Sequence, residues 1–191
     1  LRDVFARYVY LWRKPRVRLV VLVVGLEGFL FFGAFSYIGA YLKFEFDLSY
    51  TLVGLVIAAN AIGGVTYSLL VRRLIRRLGL RGVVGGGGIV LLGCYVGLSL
   101  APSWWWCVPF VMCSGFGFYM LHNTLQTQAT EMAPEARGSA VASFAFSMFL
   151  SPALGVYLAG QVVGIIGYKA IFLGAGIGLM LLATWFARQL E

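Results

Sequence analysis

Residues 19–42 read LVVLVVGLEGFLFFGAFSYIGAYL, and Glu27 is the only charged residue among them. The hydrocarbon core of a bilayer is about 30 Å thick and is crossed by roughly 20 apolar residues in an α-helix. This stretch is therefore long enough and apolar enough to span a membrane as a helix.

Five further apolar stretches follow, and they are separated by short polar loops. Hydrophobic residues make up 61% of the chain and charged residues 12%, which is about half the charged fraction of a soluble domain. Loops this short make consecutive helices antiparallel neighbours. The sequence predicts an all-α polytopic membrane protein with one six-helix domain over residues 18–191. The predicted spans are residues 19–42, 50–71, 82–101, 104–128, 138–161 and 168–187.

The basic residues fall almost entirely on alternate sides of these spans. Of the 15 Lys and Arg residues, only Lys43 and Lys169 lie on the second side. The positive-inside rule then places both termini in the cytoplasm. A nucleic-acid-binding protein would carry its net charge of +8 as a basic stripe on a soluble face. Here the charges lie at helix ends, so nucleic acid is not expected as a partner.

Residues 1–17 form a basic segment before the first span. Their spacing predicts an amphipathic helix lying on the inner membrane surface and broken at Pro15. The segment begins without Met and has no cleavable signal pattern, so we expect the sequence to be part of a longer protein. The apolar face comprises Leu1, Val4, Phe5, Tyr8, Val9 and Trp12, and the largely opposite face comprises Arg2, Asp3, Arg7 and Arg13.

Glu27 is the only acidic residue within a predicted span. It lies nine residues after Arg18, about 13 Å along a helix, and so close to the bilayer midplane. An ionised carboxylate costs several kcal/mol at that depth, so the group must face a cavity, find a partner or be protonated. Glu27 is therefore a candidate proton carrier. The alternative is a structural carboxyl that is hydrogen-bonded to a neighbouring helix.

The fourth span carries a polar face near its end. Tyr119, His122, Asn123 and Gln126 occupy positions i, i+3, i+4 and i+7, which share one side of a helix. Such a face is unsuited to acyl chains, so these residues are predicted to line a cavity. Asn60 in the second span is predicted either to join that cavity or to hold two helices together.

Catalysis and metal binding have little support in the sequence. His122 is the only histidine, no suitably spaced carboxylate accompanies it, and no acid lies close to it along the chain. Zinc sites need several such ligands, and catalysis needs a nucleophile beside its base. We therefore expect no enzyme activity, cofactor or metal, with an intramembrane enzyme as the alternative of a different class.

The fifth span has a small residue at every fourth position, which predicts a groove for close helix packing or a moving helix interface. Pro152 lies within this stripe and removes one backbone donor, which bends the helix. The stripe consists of Ser139, Ser143, Ser147, Ser151, Gly155 and Ala159.

Three motifs make the chain resemble the major facilitator superfamily of transporters. Residues 132–138, MAPEARG, resemble the Pro-x-x-Arg-Gly segment that leads into a small-residue helix in that family. The Arg-rich loop resembles the signature loop between the second and third helices, without its acidic residue, as expected for the repeat copy between helices eight and nine. The loop residues are Arg72, Arg73, Arg76, Arg77 and Gly79. The antiporter motif G-x8-G-x3-G-P-x2-G-G is approximated by Gly138, Ser147, Ser151, Pro152 and Gly155, with Ser at its second and third glycines.

The resemblance implies the C-terminal half, helices seven to twelve, of a carrier similar to bacterial drug:proton or arabinose-efflux-like permeases. That half consists of two inverted three-helix repeats, and its first and fourth helices line the central cavity. The implied function is proton-coupled efflux of a small molecule by alternating access, in the bacterial inner membrane and together with an N-terminal six-helix half. An uptake or facilitative carrier, or a non-transporting scaffold, is the alternative. Inner-side gating is implied for Arg72, Arg73, Arg76, Arg77 and Arg137.

Overall fold

The computed structural model describes residues 2–190, with side chains from Tyr8 onward, and within that range it contains helices and no strand. The predicted amphipathic face at Leu1, Val4 and Phe5 lies outside the described side chains. The helices are α1 (Arg2–Arg13), α2 (Pro15–Phe35), α3 (Ile38–Phe46), α4 (Tyr50–Leu100), α5 (Trp104–Glu131), α6 (Arg137–Ile166) and α7 (Tyr168–Gln189), with a 3₁₀ turn at Pro134–Ala136. The predicted all-α fold class is confirmed.

Helix α4 contains two membrane spans. Its 51 residues would measure about 76 Å if straight, more than twice the thickness of a hydrocarbon core. Gly79 interrupts it with φ 66° and ψ 172°, a conformation that glycine adopts readily. Gly63 before this break and Gly87 after it both lie against the stretch of α5 from Met112 to Met120. Because that stretch is only about 12 Å long, the chain must double back at Gly79.

The two arms of α4, residues 50–78 and 80–100, therefore cross the bundle in opposite directions. The sequence predicted a loop over residues 72–81, but all of them except Gly79 are helical. Arginine has high helix propensity, so a helix can continue past the apolar window into the polar region. With α2 and α3 as one crossing and α5, α6 and α7 as three more, the chain forms six spans.

The spans pack in two equivalent pairs. Helix α2 lies parallel to α6, where Gly155 approaches the backbone of Phe29. Helix α5 lies parallel to the first arm of α4, where Gly115 approaches the backbone of Asn60. Exchanging the first three spans with the last three converts one pair into the other. This is the contact pattern of two three-helix repeats.

The two remaining spans, the second arm of α4 and α7, form a third pair. The second arm of α4 runs antiparallel to α7, with Gly88 against Ala183 and Gly176 against Tyr95. Small residues at these contacts let the backbones approach closely, and dispersion then holds the helices together. The repeat exchange maps this pair onto itself, because each repeat contributes one of its two members.

The interior consists of two large apolar clusters, one above the other along the bundle. One cluster contains Val24 and Leu121 and extends to Phe186 near the chain end. The other contains Phe31 and Phe118 and extends through Phe172. The boundary between the clusters passes through the middle of α2 and α5. This boundary is where the polar site lies.

Candidate functional site

Glu27 on α2 and His122 on α5 form a buried pair across the helix interface. Glu27 Oε2 lies 2.8 Å from His122 Nδ1, a hydrogen bond with the proton on either atom. The Glu27 side chain is 0% exposed and that of His122 is 13% exposed. The pair thus joins the first helices of the two repeats at mid-height.

Aromatic rings surround the imidazole. The ring of Phe118 stacks on His122 with centroids 4.9 Å apart and planes 11° from parallel. Phe31 stacks on the far side of Phe118 at 4.3 Å, and Phe144 of α6 lies 6.0 Å from the imidazole. These surroundings restrict the access of water and supply few polar groups, so electrostatic interactions within the pair are weakly screened.

The second carboxylate oxygen of Glu27 is unsatisfied. Oε1 is buried and has no hydrogen-bond partner among residues 8–190. Leaving a buried charged oxygen without a partner is costly. The pair carries a charge of −1 when the carboxylate faces a neutral imidazole, and it becomes neutral overall when one proton is added to either side chain. Binding one proton therefore changes the net charge of the pair from −1 to zero.

The prediction that His122 has no acid nearby holds along the chain but is wrong in three dimensions. Glu27 is 95 positions away in sequence and in direct contact in the fold. The neighbours of His122 in sequence do not reveal this contact, because the packing of α2 on α5 decides it. Within residues 8–190, no group of three His, Cys, Asp or Glu side chains could hold a metal ion.

The predicted polar face of α5 is divided between different surroundings. His122 points to α2, whereas Asn123 lines a cavity of about 230 Å³ together with Tyr67, Thr124, Thr127 and Gln128. Tyr119 is 38% exposed and its ring lies against Gly64. The side chain of Gln126 is exposed at the surface of the bundle. These four residues do not share one pocket in this conformation.

Asn60 lies in the interface between the first arm of α4 and α5. Its Nδ2 donates to Ser114 Oγ at 3.0 Å and to Val111 O at 3.4 Å. Gly115 lies against its backbone carbonyl. These contacts hold the two helices together, as the packing alternative expects.

The small-residue stripe of α6 faces α2. Ser147 Oγ donates to Val21 O at 2.9 Å, and Gly28 faces Ser151 and Pro152. Gly155 continues the stripe against α2, whereas Gly138 at the start of α6 is exposed. The antiporter-like residues from Ser147 to Gly155 thus form a close helix contact.

The basic residues predicted to gate lie at one end of the bundle. Four of them lie in the last turns before Gly79 and the fifth begins α6, and all five are exposed: Arg72, Arg73, Arg76, Arg77 and Arg137. At the same end, Arg81 Nε donates to Leu190 O at 2.6 Å and Arg16 Nη2 donates to Gln128 Oε1 at 2.7 Å. Sequence inspection missed these two bonds because each joins distant segments.

Lys14 and Glu135 form an ion pair that also went unpredicted. It ties the connection between α1 and α2 to the 3₁₀ turn before α6. The hydrogen bond from Lys14 lowers the pKa of Glu135, and the same bond raises the pKa of Lys14. Because its pKa is lowered, Glu135 is ionised at neutral pH and the ion pair then contributes to stability. This contribution is lost as the pH falls through the lowered pKa of Glu135.

We expect Lys14→Gln to speed amide hydrogen exchange in residues 132–137 at neutral pH, because the turn loses its tie to the linker. The difference from the wild type should vanish once the pH is low enough to protonate Glu135. Comparing both proteins at each pH cancels the intrinsic pH dependence of exchange. A difference that persists in acid would contradict an ionic tie, and Lys169→Gln at the opposite end of the bundle is the control.

The family model described as Major Facilitator Superfamily matches residues 19–190. The match includes all of α3 to α7 and all of α2 except its first few residues. No curated protein matches the chain.

Proposed function

The chain belongs to the major facilitator superfamily and is an integral membrane transporter, and from that premise we propose that it couples the efflux of a small molecule to protons. Glu27 and His122 are the proton-coupling pair in this proposal. The observation that carries it is their contact at mid-height, with one carboxylate oxygen on the imidazole and the other unpartnered within residues 8–190.

The charge change of the pair supplies a physical basis for coupling. The unprotonated pair carries −1 in apolar surroundings, where an uncompensated charge is costly. The protonated pair is neutral and fits the closed interface between α2 and α5. Losing the proton therefore favours separation of these helices so that water or a substrate can reach Glu27. A ligand or ion shifts a conformational equilibrium only through such a difference between states.

Substrate contact is proposed for the polar side chains nearest this interface. Tyr119 and Asn123 flank His122 on α5, and Asn60 and Gln126 extend the same side of the bundle toward its two ends. Movement of both α2 and the first arm of α4 away from α5 would bring these residues to one opening. The exposed arginines at the Gly79 turn and Arg137 are proposed to close the inner side by contacting the other half of the carrier.

An N-terminal six-helix half is proposed as the opposing wall. Helix α6 supports this proposal, because only 6% of an 18-residue apolar stretch of this span is buried within the chain. Its exposed residues Phe149 and Tyr157 are large and apolar. The asymmetry of Lys and Arg supports a topology with both termini in the cytoplasm, and the bacterial inner membrane is the proposed location.

The coupling role is tested with Glu27→Gln, which keeps the size and hydrogen-bonding capacity of the side chain and removes its titration. Proteoliposomes with an imposed proton gradient are screened with a panel of labelled small molecules to find those moved uphill. We expect Glu27→Gln to lose uphill movement to the level of protein-free liposomes while it keeps downhill exchange.

The control variant is Glu45→Gln, an exposed carboxylate on α3, which should transport normally. Uphill transport at wild-type rate in Glu27→Gln would rule out the coupling role. The direction of movement relative to the gradient separates efflux from uptake, and indifference to the gradient identifies a facilitative carrier.

A further inference from the structure

Helices α2 and α5 meet along an antiparallel ladder of side-chain contacts. Positions rise along α2 as they fall along α5: Arg16 meets Gln128, Glu27 meets His122, and Phe31 stacks on Phe118. Phe31 follows Glu27 by four residues, and Phe118 precedes His122 by four. The two aromatic rings therefore lie one helical turn from the Glu27–His122 pair, on the same faces of their helices.

Only the imidazole of this pair reaches the surface of the chain. The side chain of Glu27 is 0% exposed, whereas 13% of His122 is exposed. Among the buried and half-buried residues from 8 to 190, only Glu27 Oε1 is a side-chain nitrogen or oxygen that is both fully buried and unpartnered. His122 Nε2 makes no hydrogen bond with those residues, so it is not fully buried. A proton arriving from water therefore meets the imidazole before the carboxyl.

The two ring nitrogens of His122 can act in sequence. In the unprotonated pair Nδ1 donates to the carboxylate, which leaves the lone pair of Nε2 free to bind a proton. When Nε2 binds one, Nδ1 can pass its own proton to Glu27 Oε2 across the 2.8 Å contact. The result is a neutral carboxylic acid beside a neutral imidazole. The reverse transfers unload the pair, and the ring keeps one orientation throughout.

Phe118 is placed to keep the ring in that orientation. Its ring lies nearly parallel to the imidazole, at 4.9 Å and 11°, and Phe31 stacks on Phe118 at 4.3 Å. Both phenyl rings are buried, and the carbonyl of Phe31 accepts a hydrogen bond from the Tyr95 hydroxyl. Rotating the imidazole out of its plane loses the stack. Phe118 thereby opposes the rotation that would take Nδ1 away from Oε2.

No other strong acid or base faces the pair among the described residues. Apart from Glu27 and His122, the spans carry no carboxylate, amine or guanidinium at this height, because the other charges lie toward the two ends of the bundle. Helix α6 presents Phe144 to the imidazole. The phenols of Tyr95 and Tyr119 lie against the phenyl rings of Phe31 and Phe118. The pair therefore exchanges its proton with water and not with a third side chain.

We propose that protons reach Glu27 only through His122, and that Phe118 is the positioning residue that holds the imidazole for this transfer. Nε2 takes up the proton, Glu27 stores it, and the stack on Phe118 keeps Nδ1 on Oε2. These roles rest on the proposed coupling function of the pair.

The first experiment follows Nε2 while the pair is loaded. The intact transporter, labelled with nitrogen isotope in histidine and purified on a histidine-free tag, is titrated with acid in lipid nanodiscs. His122 is the only histidine in this chain, and His122→Gln identifies its NMR signals. We expect Nε2 to change from unprotonated to protonated as the infrared band of a protonated carboxyl appears. That band should be missing in Glu27→Gln and present in Glu45→Gln.

Two results would overturn the route through His122. A carboxyl band that appears while Nε2 stays unprotonated would mean that Glu27 is loaded directly. Protonation of Nε2 without a carboxyl band would mean that the ring keeps the proton. The coupling function itself is judged by uphill transport in Glu27→Gln, so the two proposals fail on different measurements.

The second experiment tests the positioning role. In the unloaded pair, Phe118→Leu should raise the fraction of imidazole with its proton on Nε2 by about fivefold, because Glu27 no longer fixes the tautomer. Phe118→Tyr keeps the stack and should behave as the wild type. The control is Phe116→Leu, whose ring faces Tyr67 on α4. Phe118→Met replaces the leucine variant if that protein melts below the wild type. A folded variant without the stack but with wild-type ring signals would overturn the role of Phe118.

Discussion

Replacing His122 with leucine is expected to destabilise the transporter by about 3 kcal/mol, at the lower end of the cost of breaking a buried ion pair. The substitution leaves the carboxyl of Glu27 fully buried with neither oxygen partnered among the described residues. Glu27→Leu should cost less, because His122 keeps 13% of its side chain exposed and can reach water. The double variant should regain most of the lost stability, because two apolar side chains replace the pair and leave no unpartnered charge.

The three variants and the wild type form a double-mutant cycle, which isolates the coupling between the two side chains. Unfolding in mixed micelles with increasing denaturing detergent gives the stability of each protein. Gln126→Leu, an exposed position one turn beyond His122, is the control and should be near neutral. A double variant as unstable as His122→Leu would show that the cost comes from repacking and not from the unpaired carboxyl.

Transport assays on the same four proteins separate an effect on mechanism from an effect on stability. We expect the double variant to be folded and to lack gradient-driven uphill transport, because it retains neither of the two side chains that take up the proton in the proposed mechanism. A stable double variant that still concentrates substrate would place proton coupling elsewhere. The cycle therefore tests the structural pair and its proposed role independently.

Gly63→Ala and Gly115→Ala are expected to cost about 3 kcal/mol or more each, at or above the upper range for overpacking. A Cβ at Gly63 would overlap the carbonyl oxygen of Met112, and one at Gly115 would overlap that of Asn60. Backbone atoms cannot rotate aside as a side chain can. The methyl group can therefore be accommodated only if the first arm of α4 moves away from α5.

Two other glycines of α4, the helix that contains Gly63, serve as matched controls. Gly54 and Gly93 lie in the two arms of α4 and have nothing within 4 Å of an added Cβ. Their alanine variants should be neutral or stabilised by up to about 1 kcal/mol, because alanine has the higher helix propensity. Thermal unfolding and the monodisperse fraction after purification measure both sets. Gly63→Ala as stable as Gly54→Ala would contradict the close approach of these helices.

The repeat relationship extends this prediction to the other helix pair. Gly155 lies against the carbonyl of Phe29 as Gly115 lies against that of Asn60. Gly155→Ala should therefore destabilise α2 on α6 by a similar amount. The sequence showed Gly155 as part of a small-residue stripe, but it showed no comparable stripe around Gly63 and Gly115. Their role depends on which backbone each glycine faces, and composition does not reveal that.

Hydropathy and charge by themselves determined that this protein is an all-α membrane protein of six apolar segments, and three motif remnants pointed to its family. These properties are readable from sequence because the transfer free energy of a helix is a sum over about 20 consecutive residues. Only the tertiary structure decided that Glu27 meets His122, that α4 reverses at a single glycine, and that Asn60 joins two helices. Each of these depends on the rotation and contact of helices far apart in sequence, which local sums of hydrophobicity do not contain.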